Sequence, residues 1–332
     1  MTDTMNIAYA SADNYAPVLG TSIYSLCKNN ADADIHIYVL DYEISEENKE
    51  RLRRTVQAYG KQIDFVSLTE KLVFLSGRVG AYGNEGLKGF VTYAYCFLAD
   101  LLPDIRRILY LDCDTLVNAS LAPLYNTVLE GEHFVGEAPD ALRREYKKVI
   151  ALPDEAIYYN SGCVLMDLER WRQHGASEIL LKAIESGWNY PLADQDLMVT
   201  CLYRYIQTLS PIYNYLSQYF LYSGREAAFV LGIDYFSAHA DDFAAGYKAA
   251  LLYHFCGNTF IRPWFRNSRH PLKSLYDSYY YGSEWRDVPQ AEFKEKPEYR
   301  IQYLLFRFAP RPIFLLLSRL MQRLFIFLQY KK

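Results

Sequence analysis

The stretch that decides the reading of this chain is Arg107-Ile-Leu-Tyr-Leu-Asp-Cys-Asp-Thr-Leu-Val117. Ile108 to Leu111 form an apolar run too short for a helix and predict a buried strand. Asp112 and Asp114 follow directly. In extended backbone, residues two apart point the same way, so the two carboxylates reach one point. At the carboxyl end of a parallel strand, such a pair suits a hard divalent cation that bridges to phosphate oxygens. The same spelling occurs at Asp32-Ala-Asp34, in a polar turn, and at Asp194-Gln-Asp196, at the start of a predicted helix. Position at a strand end is what sets Asp112 and Asp114 apart. On the motif alone, a turn that caps the next element reads equally well.

Around this stretch, strand and helix signals alternate. Asn6 to Ala10, Ile35 to Leu40 and Ile63 to Ser67 predict strands; Val18 to Lys28 and Tyr93 to Leu102 predict helices, and Ser45 caps a charged helix. Alternation of this kind predicts an α/β domain with a mostly parallel central sheet flanked by helices. Ligands of such sheets bind at the carboxyl ends of the strands. The first strand lacks a Gly-x-Gly-x-x-Gly sequel, the fingerprint of dinucleotide folds. Beyond Asp114, strands are predicted at Phe134 to Glu137 and Cys163 to Asp167, with helices near Arg170 to Ser186 and Gln195 to Tyr205. The part after Leu209, rich in Tyr, Phe and Pro, reads as loop-dominated.

With 332 residues, 22% charged and 51% hydrophobic, the chain has the composition of a folded protein with a large core. Its six cysteines lie in apolar segments without paired spacing, which predicts reduced thiols rather than disulfides or zinc. The N-terminal Met-Thr-Asp-Thr-Met-Asn has no basic leader before an apolar stretch, so a cytoplasmic location is expected. The formal charge of −4 is uneven. Arg300 to Lys332 holds seven basic residues and no acidic one, which leaves −11 on the remainder. That distribution is not the basic face of a nucleic-acid binder, and no nucleic-acid partner is expected.

Four further segments can carry chemistry. Ala10-Ser-Ala-Asp-Asn-Tyr15 follows the first strand, where backbone amides and short polar side chains could hold a nucleotide; an Asx-type helix start at Asn14 explains it as well. In Tyr158-Tyr-Asn-Ser-Gly162, Asn160 offers donors and acceptors to a sugar hydroxyl. Ala193-Asp-Gln-Asp196 opens a helix, where Asp194 also reads as an N-cap. His254-Phe-Cys-Gly-Asn-Thr-Phe-Ile-Arg-Pro-Trp264 joins a histidine to Gly257, which permits close backbone approach, and to Arg262, a cation for phosphate.

Taken in this order, from about Asn6 to Trp264, the segments resemble glycosyltransferase family 8, which includes glycogenin and bacterial lipooligosaccharide and lipopolysaccharide sugar transferases. The resemblance implies a GT-A fold, a UDP-hexose donor (galactose or glucose), a glycan or glycolipid acceptor, and retention of anomeric configuration. It implies Mn²⁺, with Mg²⁺ as the alternative, on Asp112, Asp114 and His254, an N,O set that suits Mn²⁺ better. It places Ala10, Asn14, Tyr95, Asp112, Asn160, Asp194, Gly257 and Arg262 around the donor, and Gln195 with Asp194 at the reacting sugar. Three positions depart from the family pattern. Ala12 stands where bacterial relatives often have an Asp on uracil. Tyr95 stands for an Arg that contacts donor phosphate, and Arg262 for a Lys. Loss of the cation at position 95 would remove about 1.5–3 kcal/mol of charged hydrogen bonding, with Lys88 or Arg78 as substitutes. These departures keep a second reading open, a catalytically inactive nucleotide-sugar binder.

The expected organisation is a transferase domain over 1–270, a connecting segment over 271–298 and a basic amphipathic tail over 299–332. Within the tail, Ile313 to Leu328 is apolar apart from Ser318, Arg319, Gln322 and Arg323. A spanning helix needs about 20 apolar residues, and each central Arg would cost about 2.5–3.5 kcal/mol. The expectation is therefore a helix lying on an anionic membrane surface at the inner face of the cell membrane. The competing expectation is a helix docked on the protein itself.

Overall fold

The computed structural model describes residues 4–79, 83–187, 190–257, 260–294 and 297–330. The side chains of 77–79 and 83–88, Arg78 and Lys88 among them, lie outside the described residues, as do Lys331 and Lys332.

Ten strands form among the described residues: β1 (Met5–Ala12), β2 (Ile35–Tyr42), β3 (Gln62–Ser67), β4 (Arg107–Leu111), β5 (Thr115–Val117), β6 (Val135–Pro139), β7 (Tyr159–Asp167), β8 (Ile206–Thr208), β9 (Tyr215–Leu216) and β10 (Leu252–His254). Seven make the central sheet, in the order β3-β2-β1-β4-β7-β6-β8. β7 runs antiparallel to both its neighbours, and the other pairs are parallel. Both faces are covered, so the strands read as continuous apolar runs. Their side chains nevertheless alternate between two cores. Ile7, Tyr9, Leu109 and Leu111 enter one; Ala8, Ala10, Ile108 and Tyr110 enter the other. The first core lies against helix Ala16–Asn29, the second against residues 90–97 and helices Ala176–Glu185 and Ala193–Leu202.

Parallel pairing of Ala8 with Tyr110 brings the end of β1 beside the end of β4. A second, three-stranded sheet, β5-β10-β9, stands next to it. In it His254 pairs with Thr115 on one side and Leu216 on the other. This small sheet carries His254 across the sequence to Asp114.

Several expected elements take another form. Residues expected as a helix over Tyr93–Leu102 are a 3₁₀ segment, Gly83–Phe97, and one α turn, Leu98–Leu101. The segment begins with Gly83, Gly86 and Gly89, each costing a helix about 1 kcal/mol, and Tyr93 to Phe97 are all buried, so no single apolar stripe exists. The helix expected over Arg170–Ser186 breaks into Leu168–Gln173 and Ala176–Glu185 at Gly175, whose φ is +61°. The part after Leu209 is not loop-dominated. It contains helices Gly224–Leu231, Ala240–Ala249 and Lys273–Tyr280. The first has a full capping box between Ser223 and Glu226, a Ser-x-x-Glu signal present in the sequence.

Residues 271–294 pack on the body. Trp285 is buried against helix Ala16–Asn29, where a Cβ on Gly20 would lie 1.9 Å from its ring. Two helices, Pro297–Phe308 and Arg311–Tyr330, end the described chain. Phe314 and Ser318 are buried, Phe314 stacking on Tyr222. Arg311 pairs with Glu226 and Arg323 with Glu145. The opposite face shows Ile313, Leu316, Leu320, Leu324 and Phe327, each more than half exposed. Among the described residues, no helix is long and apolar enough to cross a membrane.

Candidate active site

Asp112 and Asp114 leave β4 at its carboxyl end as expected, and His254 meets them from β10. One ligand atom from each lies within 4.8 Å of the others. The imidazole Nε2 is 3.1 Å from Asp114 Oδ1 and 3.6 Å from Asp112 Oδ2. Its other nitrogen, Nδ1, faces the amide oxygens of Asn160 at 3.0 Å and Asn214 at 3.2 Å. Two acceptors there hold a proton on Nδ1 and fix the ring so that Nε2 faces the carboxylates. A metal-ligating histidine is held in the same way, by a hydrogen bond on its far nitrogen. Gly162 makes room for it: a Cβ there would lie 2.0 Å from the imidazole.

Electrostatics point the same way. Burial opposes a charge on Asp114, yet His254 and Arg262 hold its carboxyl below the usual range. Arg262 Nη1 donates to Asp114 Oδ2 at 2.9 Å. Asp112 is pushed up by enclosure in the protein, with Asp114 and Asp194 adding to the effect against His254. Burial disfavours the imidazolium, but Cys256 and Asp114 raise His254 well above its ordinary value. The carboxylates of Asp112 and Asp114 converge on one point, where a divalent cation would balance their charge.

Beside the cluster opens a cleft of about 320 Å³, lined by Ala10, Ala12, Asn14, Thr92, Tyr110, Asp112 and Asp114 among others. Ala10 and Asn14 both line this cleft. Tyr95 does not line it. The Tyr95 ring is buried against Tyr110, and its hydroxyl donates to the Asp194 carbonyl at 2.9 Å. Gly257 has φ +72°, and a Cβ on it would strike the Gln218 amide at 2.2 Å; Asn258 and Thr259 lie outside the described residues.

Asn160 and Gln195 form the centre of a saturated network. Asn160 Nδ2 donates to Asp140 Oδ2 at 2.8 Å and to Gln195 Oε1 at 2.9 Å. Gln195 Nε2 donates to the same Asp140 oxygen at 3.0 Å and to Tyr158 at 2.9 Å. Asn214 Nδ2 donates to Asn160 Oδ1 at 2.8 Å. Asp194 is not an N-cap. Thr92 and Ser161 donate their hydroxyls to its two carboxylate oxygens, and burial pushes its carboxyl up to about 6. Ala193, just before it, has φ +49°, a strained conformation for a residue with a Cβ that turns Asp194 into the site. Asp196 is fully buried and accepts from Tyr146 and Tyr158.

Sequence reasoning missed Asp140, Asn214, Thr92 and Gln218. Asp140 had a signal. It follows the apolar strand β6 as Asp112 follows β4, so the strand-end argument reaches it too. Asn214 and Gln218 had none, because they stand in an aromatic stretch without a motif.

Residues 6–268 match the profile of Glycosyl transferase family 8. The chain belongs to this family. General stress protein A of Bacillus subtilis (strain 168) is 27% identical, over 86% of this chain and 96% of that protein. The lipopolysaccharide 1,2-glucosyltransferase of Escherichia coli (strain K12) is 24% identical, over 91% of this chain and 85% of its own. Among solved structures, the galactosyltransferase LgtC in complex with donor and acceptor sugar analogues superposes with a TM-score of 0.69 at 24% identity, covering 89% of this chain and 99% of that one. The central sheet described above is the GT-A fold that the resemblance implied. The family 8 enzyme is thus a glycosyltransferase, with a cluster fit for a divalent cation at the mouth of its cleft.

Proposed function

We propose that this glycosyltransferase moves a hexose, galactose or glucose, from a UDP-sugar to a cell-envelope or lipid-linked glycan with retention of configuration. The convergence of Asp112, Asp114 and His254 beside a cleft at the ends of β1 and β4 carries this reading. The two carboxylates and Nε2 would hold Mn²⁺, which would neutralise the charge that gathers on a departing diphosphate. The N,O donor set favours Mn²⁺ over Mg²⁺. The names of the Escherichia coli glucosyltransferase and of LgtC support a hexose and an envelope acceptor.

The chain's own groups favour attack from the face that the diphosphate leaves. Near the reacting sugar, Asp140 binds two amides, Asp194 two hydroxyls and Asp196 two phenols. Each of the three is already engaged in holding its neighbours, and an amide such as Gln195 is a poor nucleophile. Asp194 then serves to fix the sugar, with Asn160 and Gln195 held in place behind it by their own network, while the leaving phosphate oxygen takes the acceptor proton. A glycosyl adduct trapped on Asp194 or Asp196 in the native enzyme would rule this route out.

The C-terminal helices lie on the inner face of the cell membrane in this proposal, apolar row downward. Arg311 and Arg323 are already paired with the body, so apolar contact rather than charge carries most of the attraction.

The deciding experiment is release of UDP from UDP-galactose and UDP-glucose with Mn²⁺. Activity is expected with one of them, and Asp114→Asn should abolish it with the fold intact. Full activity in excess chelator would overturn the metal assignment. No release from any nucleotide sugar would leave the inactive binder, which the buried Tyr95 favours.

A further inference from the structure

A second cavity, of about 570 Å³, lies behind β9. Tyr215 of β9 lines it, whereas Asn214, one residue earlier, reaches His254 instead, as alternation along an extended chain requires. The other principal walls are Phe220, Phe243, Tyr247 and Phe306. Helix Ala240–Ala249 touches β9 at Gly246, where a Cβ would lie 2.3 Å from the Tyr215 ring. Ala240 and Ala244 on the same helix line the cavity with side chains too small to fill it. Its volume falls in the range of small-molecule sites.

The walls offer rings and methyl groups but few free donors. The Tyr215 hydroxyl is taken up by the Phe243 carbonyl at 3.1 Å. Such a lining suits an apolar chain better than a sugar or nucleotide, which needs hydrogen-bonding groups along its length. Charge lies at the rim. Arg225 and Lys248 are exposed there and have no acidic partner at salt-bridge distance among the described residues; Arg311 is held by Glu226. Among the described residues, Asp241 is the one acid in the lining. The rim is therefore cationic on balance. Phe306 and Arg311 belong to the two C-terminal helices, so the cavity opens at the joint from which the exposed apolar row runs.

We propose that this cavity takes the hydrocarbon chain of an anionic membrane amphiphile, with its phosphate held by Lys248 and Arg225. The proposal rests on the membrane reading only for the source of the molecule.

The test uses full-length protein and dodecyl phosphate below its micelle concentration, without donor, metal or vesicles, so a failure of vesicle binding elsewhere leaves the result untouched. Calorimetry should show one site. Ala244→Trp, which fills the cavity, should weaken binding about tenfold or more, and Lys248→Glu about tenfold. A control, Leu320→Asp with Leu324→Asp, spoils the exposed tail row and should bind as the parent does. Unchanged binding in Ala244→Trp or Lys248→Glu, or loss in the tail control, overturns the proposal. Should Ala244→Trp not fold, a diazirine-bearing dodecyl phosphate gives a second readout. Adducts on Tyr247 or Phe306 support the site; adducts confined to residues 313–328 overturn it.

Discussion

Asp140 shows how one carboxylate can set a site without touching the metal ligands. Its Oδ2 accepts from both Asn160 and Gln195, and Asn160 in turn accepts from His254. Asp140→Ala frees both amides, and displacement of about 1 Å at a reacting centre costs about 10² in rate. Turnover should fall by about that factor while the KM for donor changes far less; an equal loss in both would make Asp140 a binding residue. Glu137 is a different matter. It is fully buried in β6, and neither carboxylate oxygen has a hydrogen-bond partner among the described residues. Burial, reinforced by Asp194, pushes its carboxyl up to about 8. In the unfolded chain it ionises near pH ~4.3. Between these values the folded protein keeps a proton that the unfolded chain has released. Stability therefore falls as pH rises through that window and levels off above it. Glu137→Met removes this dependence. Denaturant melts should show the variant about 2 kcal/mol more stable than its parent at pH ~9 and closer to it at pH ~5. A variant less stable at the higher pH would show that the carboxylate is needed in the fold.

At the scale of elements, the site depends on how tightly β7 approaches β10. Gly162 in β7 sits against the His254 imidazole with no room for a Cβ. Gly162→Ala must push the ring away from Asp114, at an overpacking cost of about 1–3 kcal/mol. Mn²⁺ affinity, followed by paramagnetic relaxation of water, should drop by about tenfold or more. Unchanged affinity would mean that His254 is not a ligand. Strand pairing explains why this contact escapes a reading of motifs. Gly162 and His254 are far apart in sequence, and only the docking of the β5-β10-β9 sheet where β4 ends and β7 begins joins them.

For the whole molecule, the C-terminal helices are docked and exposed at once. Phe314 closes one core against Tyr222, and the apolar row looks outward. A chain ending at 296 should lose about 3 kcal/mol of stability with the Phe314 contact, yet release UDP from UDP-sugar at the full-length rate. It should no longer sediment with anionic vesicles. For the full-length protein, salt should weaken that sedimentation only mildly, because Arg311 and Arg323 already have partners. Unfolding on truncation, or indifference of the full-length protein to vesicles, would make the helices part of the core alone.

Local chemistry was legible without coordinates. The apolar run into Asp112 and Asp114, the alternation of strands and helices, and the Ser45 cap all rest on contacts within a few residues, which side-chain order along the chain dictates. Asn160, Asp194 and His254 stood out in polar segments at the boundaries of predicted elements, and the family resemblance added Ala10, Asn14 and Gln195. What they do there was decided by tertiary structure. The N-cap reading of Asp194 failed once Thr92 and Ser161, from distant segments, took its oxygens. Arg262 became the partner of Asp114, and Tyr95 went into the core, because burial and pairing depend on which faces meet. The sequence by itself determined the sheet, the carboxylate pair and the basic tail. The hydrogen-bond network of Asp140, Asn214 and Gln195, and the cavity behind β9, came only from long-range packing, which no local periodicity encodes.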